Sequence, residues 1–239
     1  MKKNILFGAV LLMAGSLLAA DSTPKDEVTA AAKKLAESSN YSWKLTQDLG
    51  PNSPFTPGPV EGKTEKDGFT WLSTSFQDNT SLAISKGKKV AVKTEEGWKT
   101  AEEIGDGGGQ PNFDVFMARR MQTMKTPSDE ILDLVSKTSE LKKDGDVISG
   151  DLTKEGAESL LTFFGRRAGG NRPAPKDAKG TLKVWIKDGV ISKYETKVSG
   201  KTTNRDGDEV ETQRNNTTEI TNVGTTKIEV PDEAKKKLS

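Results

Sequence analysis

The chain has 239 residues, with 36 basic against 35 acidic side chains, no histidine and no cysteine. This excludes disulfides, His-zinc sites, Ser-His-Asp hydrolases and Cys-His proteases, and a near-neutral charge gives no electrostatic footprint for nucleic acid. Hydrophobic residues make up 32% of the chain, so the core is thin, as in a single sheet with one wet face.

Lys2 and Lys3 precede an apolar stretch from Ile5 to Ala20, which closes on Leu18-Ala19-Ala20 before Asp21. Charged start, apolar middle and small residues at a cut are the layout of a secretory signal peptide, here residues 1–20. The stretch is shorter than the roughly 20 apolar residues of a spanning helix, and the small residues at the cut favour cleavage over an uncleaved anchor. No cysteine follows the cut, so no lipid anchor is expected. The expected product is periplasmic or secreted and starts at Asp21.

Thr23 caps a helix that has Pro24 in its first turn and Val28, Ala31, Ala32 and Leu35 on one face. Tyr41, Trp43 and Leu45 alternate along a strand. Pro51, Pro54, Pro57 and Pro59 make 50–59 a loop. A meander of short strands follows: 60–66 and 69–76 around Asp67-Gly68, then 80–85 and 90–94 around Gly87, then a turn at Glu96-Gly97 into Trp98. After the break at 105–109 comes an amphipathic helix with Phe113, Phe116, Met117, Arg120, Met121 and Met124. Thr126-Pro127-Ser128 ends it and caps a second helix carrying Ile131, Leu132, Leu134 and Val135.

Strands are predicted at 139–143 and 146–152, around Asp144-Gly145. Thr153 caps a further helix with Leu160, Leu161, Phe163 and Phe164. A basic Gly/Pro-rich loop spans 165–179. Strands then run from Leu182 through Ile186, over 190–199 and 209–220, and over 225–230 before Pro231, with a tail helix at 232–238. The order is α+β: long antiparallel sheet with helices on one side.

Three motifs fail on context. Gly62-Lys63-Thr64 ends like a phosphate-binding loop, but Pro57 stands where its first glycine belongs and a strand, not a helix, follows. Asn204 to Glu209 has calcium-loop spacing, but Glu209 stands where glycine is needed. Ser85 and Lys88 have Ser-x-x-Lys spacing across a hairpin turn, without the companion motifs. Neighbouring acids such as Glu95-Glu96 and Glu102-Glu103 read as solvated surface, so no paired-carboxylate hydrolase is expected.

Three features remain. Tyr41, Trp43, Phe69, Trp71, Phe76, Trp98 and Trp185 form an aromatic set. The methionine-rich helix either packs as core or walls an apolar cavity as a movable lid. Arg166, Arg167 and Arg172, with Arg119 and Arg120, are either a solvated face or contacts for anionic headgroups.

The segments from Ser85 to Val92 leading to Gly97-Trp98, from Gly180 to Gly189 (GTLKVWIKDG) leading to Ser192-Lys193-Tyr194-Glu195, and from Thr225 to Pro231 (TTKIEVP) carry a resemblance. The chain resembles the LolA/LppX-like superfamily of exported bacterial lipid and lipoprotein carriers, though the lipid-anchoring cysteine of the mycobacterial lipoprotein branch is absent. The resemblance implies one domain over 21–239, a strongly curved antiparallel half-barrel with helices packed on the concave side and an apolar cavity between. The expected function is a non-enzymatic carrier or binding protein for lipid, lipoprotein acyl chain or another apolar ligand. The alternative is a ligand-free structural or interaction module of the cell envelope. The expected lining is Trp43, Trp71, Ile84, Val92, Trp98, Phe113, Phe116, Met117, Met121, Met124, Phe163 and Phe164. No cofactor, metal or nucleic acid is expected. The expected partners are an apolar small molecule or acyl chain and envelope proteins, and the protein is expected to be a monomer.

Overall fold

A computed structural model of the protein describes residues 22–51, 53, 56–76, 79–105, 113–162, 173–204 and 207–239. The expected signal peptide, the break after Gly105, Phe163, Phe164 and the arginines at 166, 167 and 172 lie outside the described residues.

Helix α1 (Pro24–Glu37) forms where its cap predicts. Thr23 Oγ1 accepts from the Asp26 amide at 3.2 Å and the Asp26 carboxylate accepts from the Thr23 amide at 3.3 Å, a reciprocal cap that contributes about 1 kcal/mol. Its buried face is Val28, Ala31, Ala32 and Leu35.

The strands are β1 (Asn40–Asp48), β2 (Val60–Glu65), β3 (Phe69–Phe76), β4 (Asn79–Lys86), β5 (Lys89–Thr94), β6 (Gly97–Thr100), β7 (Lys142–Asp144), β8 (Val147–Asp151), β9 (Lys176–Lys187), β10 (Val190–Thr203) and β11 (Glu209–Thr221). The remaining helices are α2 (Ala101–Ile104), α3 (Phe113–Thr123), α4 (Pro127–Ser136), α5 (Lys154–Thr162) and α6 (Asp232–Lys237).

All eleven strands join one antiparallel sheet in the order β6-β5-β4-β3-β2-β1-β11-β10-β9-β8-β7. Two meanders therefore run outward from a central seam, where β1 pairs with β11 from Ser42↔Thr221 to Asp48↔Asn215. The sheet is curved and does not close into a barrel. Tight turns keep the meanders in register. Asp188 and Gly189 both adopt left-handed backbone (φ 54° and 75°) between β9 and β10, the conformation for which Asp-Gly is suited.

Alternation divides the sheet into two apolar faces. The inner face carries Tyr41, Trp43, Leu72, Ala83, Val90, Val92, Leu182, Val184, Tyr194, Val198 and Ile220, packed against α1, α3, α4 and α5. The outer face carries Ile84, Ala91 and Trp98, covered by Ala234 of α6 and by Leu238 just past its end. One helix thus lies opposite the concave side on which helices were expected. It is held where Glu233 accepts from the Trp98 amide at 3.1 Å, and Lys237 pairs with Glu103.

Four further expectations change. Residues 225–230 form no strand, because both edges of β1 and of β11 are already paired. Asn222, in left-handed backbone, accepts from the amides of Thr225 and Thr226 and turns the chain off the sheet. The segment then crosses β1, with Gly224 N donating to Asn40 O and Thr226 Oγ1 within 2.8 Å of Ser42 Oγ. The basic loop ends earlier than 179, since Lys176 already pairs with Lys201. The strand expected at 139–143 shrinks to Lys142–Asp144, preceded by a single bridge from Thr138 to Leu152. Helix α2 is an addition, closed by a Thr100/Glu103 capping box.

Candidate functional site

Helix α3 presents two faces with different neighbours. Met117, Ala118 and Met121 are buried in the inner core, Val115 is buried as well, and Met124 and Phe113 pack against the core. Phe113, Phe116 and Arg120, spaced i, i+3 and i+7 along one flank, line a cavity of about 450 Å³. The two phenyl rings stand 5.7 Å apart at 32°. Phe116 is 46% exposed and stands at the mouth of the cavity it lines.

The rest of the wall comes from one end of the sheet. Gln47 and Leu49 stand at the end of β1, Val60 begins β2, Thr74 and Ser75 end β3, and Arg214 belongs to β11. Pro57 and Gly58 complete it. Gly58 passes so close to β3 that a Cβ there would stand 2.2 Å from the Ser75 carbonyl oxygen. That approach seats the approach to β2 on the sheet and shapes the wall.

Of the twelve expected lining residues, the cavity brings together Phe113 and Phe116. Met117, Met121, Trp43 and Val92 lie in the packed inner core, with Met124 at its margin. Ile84 and Trp98 lie on the other side of the sheet, with Trp71 packed at the edge of that cluster and Lys63 Nζ 5.3 Å above its ring. These residues have alternating phases along adjacent strands, so one cavity cannot gather them all. Phe163 and Phe164 lie outside the described residues.

Two wall residues are cationic. Arg214 is 8% exposed and donates through Nη1 to the Leu160 carbonyl at the end of α5. Burial pulls its guanidinium down to about 10, which leaves it charged at neutral pH. Burial also lowers the Arg120 pKa, with the charge of Glu130 acting in the opposite sense. Sequence reading named Arg120 but missed Arg214. Its signal was phase: residues 214, 216 and 218 share the inward register of Ile220. Gln47, buried and in phase with Tyr41, Trp43 and Leu45, was legible in the same way; its Nε2 donates to Asn216 Oδ1 at 3.3 Å.

Behind the cavity, Glu130 of α4 accepts from the Tyr194 hydroxyl. Burial raises the Glu130 pKa, and the hydrogen bond with Tyr194 opposes that rise. Tyr41 lies nearby, its hydroxyl 3.4 Å from Ser128 Oγ. These groups tie α4 to the sheet. Among the described residues, no cluster of three or more Asp and Glu side chains could hold a metal ion, and no helix is long and apolar enough to cross a membrane.

No protein-family model matches the chain, and no curated protein matches it. Solved structures do. The lipoprotein LppX of Mycobacterium tuberculosis is similar at 9% identity over 87% of this chain and 98% of that one, with a TM-score of 0.46. LprF of Mycobacterium bovis is similar at 11% identity over 88% and 97%, with a TM-score of 0.45. A LolA superfamily protein of Nitrosomonas europaea is similar at 10% identity over 88% and 96%, with a TM-score of 0.33.

Proposed function

We propose that the protein is an exported carrier or binding protein that shelters an apolar chain in the cavity between α3 and the end of the sheet. The single observation that carries this reading is the cavity itself: about 450 Å³, bounded by Phe113, Phe116, Leu49, Val60 and Pro57. That volume lies in the range of small-molecule sites, and an apolar wall with a few polar groups is their usual chemistry. Binding would rest on burial, about 0.8 kcal/mol for each methylene taken from water. Phe116 stands half in solvent, where it can fold over an entering chain.

In this reading the leader is removed after Ala20, and residues 21–239 work as one non-enzymatic domain in the periplasm or outside the cell. The protein acts as a monomer, without cofactor, and exchanges its ligand with envelope proteins. The second reading, a ligand-free envelope module, draws support from the packed methionine face of α3, whose Met117 is fully buried.

Fluorescence titration with phenylnaphthylamine, a neutral apolar dye, separates the two. The carrier reading expects saturable binding at one site per chain, weakened by Phe116→Ser while the melting temperature hardly moves. A dye that stays dim at all protein concentrations contradicts it.

A further inference from the structure

The cavity has an inner end and a mouth. Val60, fully buried, lies at the inner end, and Phe116, half in solvent, stands at the mouth. The surface turned to the space between them is almost wholly apolar. Polar wall side chains are engaged by protein groups: Gln47 Nε2 donates to Asn216 Oδ1 at 3.3 Å, Ser75 Oγ lies 3.2 Å from Thr80 Oγ1, and Arg214 Nη1 donates to the Leu160 carbonyl. Volume sets a second limit. An apolar protein cavity of about 150 Å³ takes one benzene ring, which is about 25 Å³ for each carbon. At that packing a space of about 450 Å³ houses about 18 carbons. That is one long alkyl chain; the two chains of a bilayer lipid need about twice as much.

Resting on the reading above, that the cavity takes an apolar chain, we propose that its ligand is a single-chain amphiphile bound tail first. One unbranched chain of up to about 18 carbons runs from Phe116 inward to Val60, and its head group stays in water outside Phe116. A polar head carried inward would lose its hydration against an apolar wall. A two-chain lipid would leave one chain in water, so it gains from the burial of only one. The site therefore reads the number and length of chains, and fatty acids and lysolipids share the chemistry it recognises.

The test is displacement of phenylnaphthylamine by palmitate, by lysophosphatidylcholines of increasing chain length and by diheptanoyl phosphatidylcholine, each below its critical micelle concentration. From the decanoyl lysolipid upward, displacement should strengthen about fourfold for each methylene and level off at about 18 carbons. Tetradecanoyl lysophosphatidylcholine and diheptanoyl phosphatidylcholine carry the same number of acyl carbons under the same phosphocholine head, in one chain and in two. The single chain should displace the dye at least about a hundredfold better. Palmitate and palmitoyl lysophosphatidylcholine should agree within about tenfold, because neither head enters. Val60→Phe should shorten the levelling-off length by about four carbons, the number that Phe adds to Val. The comparisons on the unaltered protein stand even if this variant fails to fold. Equal displacement by the one-chain and two-chain phosphocholines, or strengthening that continues to the docosanoyl lysolipid, overturns the single-chain ligand while leaving the apolar site intact. Displacement by palmitate without displacement by its lysolipid puts the head inside and overturns tail-first binding. Absence of dye binding overturns the apolar site as well, and the proposal with it.

Discussion

The indole of Trp43 lies against Gly62, its register partner on β2. A Cβ at position 62 would stand 1.9 Å from Cε2 and 2.0 Å from Cζ2 of the ring. The indole Nε1 then donates to Thr64 Oγ1 at 3.3 Å, one pleat further along the same strand. The glycine that looked like part of a phosphate loop is there to make room for a ring. Gly62→Ala should therefore destabilise the protein by about 1–3 kcal/mol, although a glycine-to-alanine change at an unstrained position usually stabilises by reducing the freedom of the unfolded chain. Urea denaturation of both proteins checks the sign.

Much of the fold was legible because local signals agreed with the tertiary structure. Thr23-Pro24 and Thr126-Pro127 mark helix starts, and Asp67-Gly68, Asp144-Gly145 and Asp188-Gly189 mark hairpins. The phase of Tyr41, Trp43 and Leu45 gave the inward face of β1. What failed required knowledge of neighbours. Thr225 to Val230 alternates like a strand, but the sheet has no vacant edge beside β1 or β11. Ile84, Trp98 and Val92 are all apolar and all buried, yet their strand phases put Val92 inside and the other two outside. Arg214 escaped notice because a charged residue in a run of Thr, Gln and Asn reads as surface, and only the pairing of β11 with β1 turns it inward.

The methionine face of α3 packs as core rather than as a loose lid. Met121 is 5% exposed within the inner cluster. Met121→Trp should cost about 1–3 kcal/mol through overpacking, read as a lowered denaturation midpoint with an unchanged slope. A neutral effect would mean that unfilled space lies behind the helix.

Glu130 gives the stability curve a pH dependence of known sign. Its folded pKa is raised above the ordinary value of 4.5 by burial. Below 4.5 both folded and unfolded states hold the proton, and the group costs nothing. As pH rises from 4.5 towards the raised folded value, the unfolded chain ionises first, so stability falls; above the folded value the loss is complete. Glu130→Gln removes this component. Relative to the parent, its stability should improve between pH 4.5 and neutrality, after allowing for a constant offset from the altered bond to Tyr194. Denaturation at several pH values measures the difference; parallel curves would show that Glu130 titrates normally.

The outer face depends on α6. Leu238 is 4% exposed, and with Ala234 it covers Ile84 and Trp98. Leu238→Ala should destabilise the protein by about 2–5 kcal/mol if the cluster cannot collapse, less if the helix end settles inward. Opening of the cluster to water should also shift Trp98 emission to the red. An unchanged spectrum and midpoint would show that the tail contributes little to the fold.

The central claim is that an apolar chain enters the cavity beside α3. The most direct measurement is anomalous diffraction from crystals of the protein grown with palmitate brominated at its terminal carbon. The bromine peak should fall inside the wall formed by Leu49, Val60, Phe113 and Phe116. A cavity with no bromine at saturating ligand, or a peak confined to another part of the molecule, would contradict it.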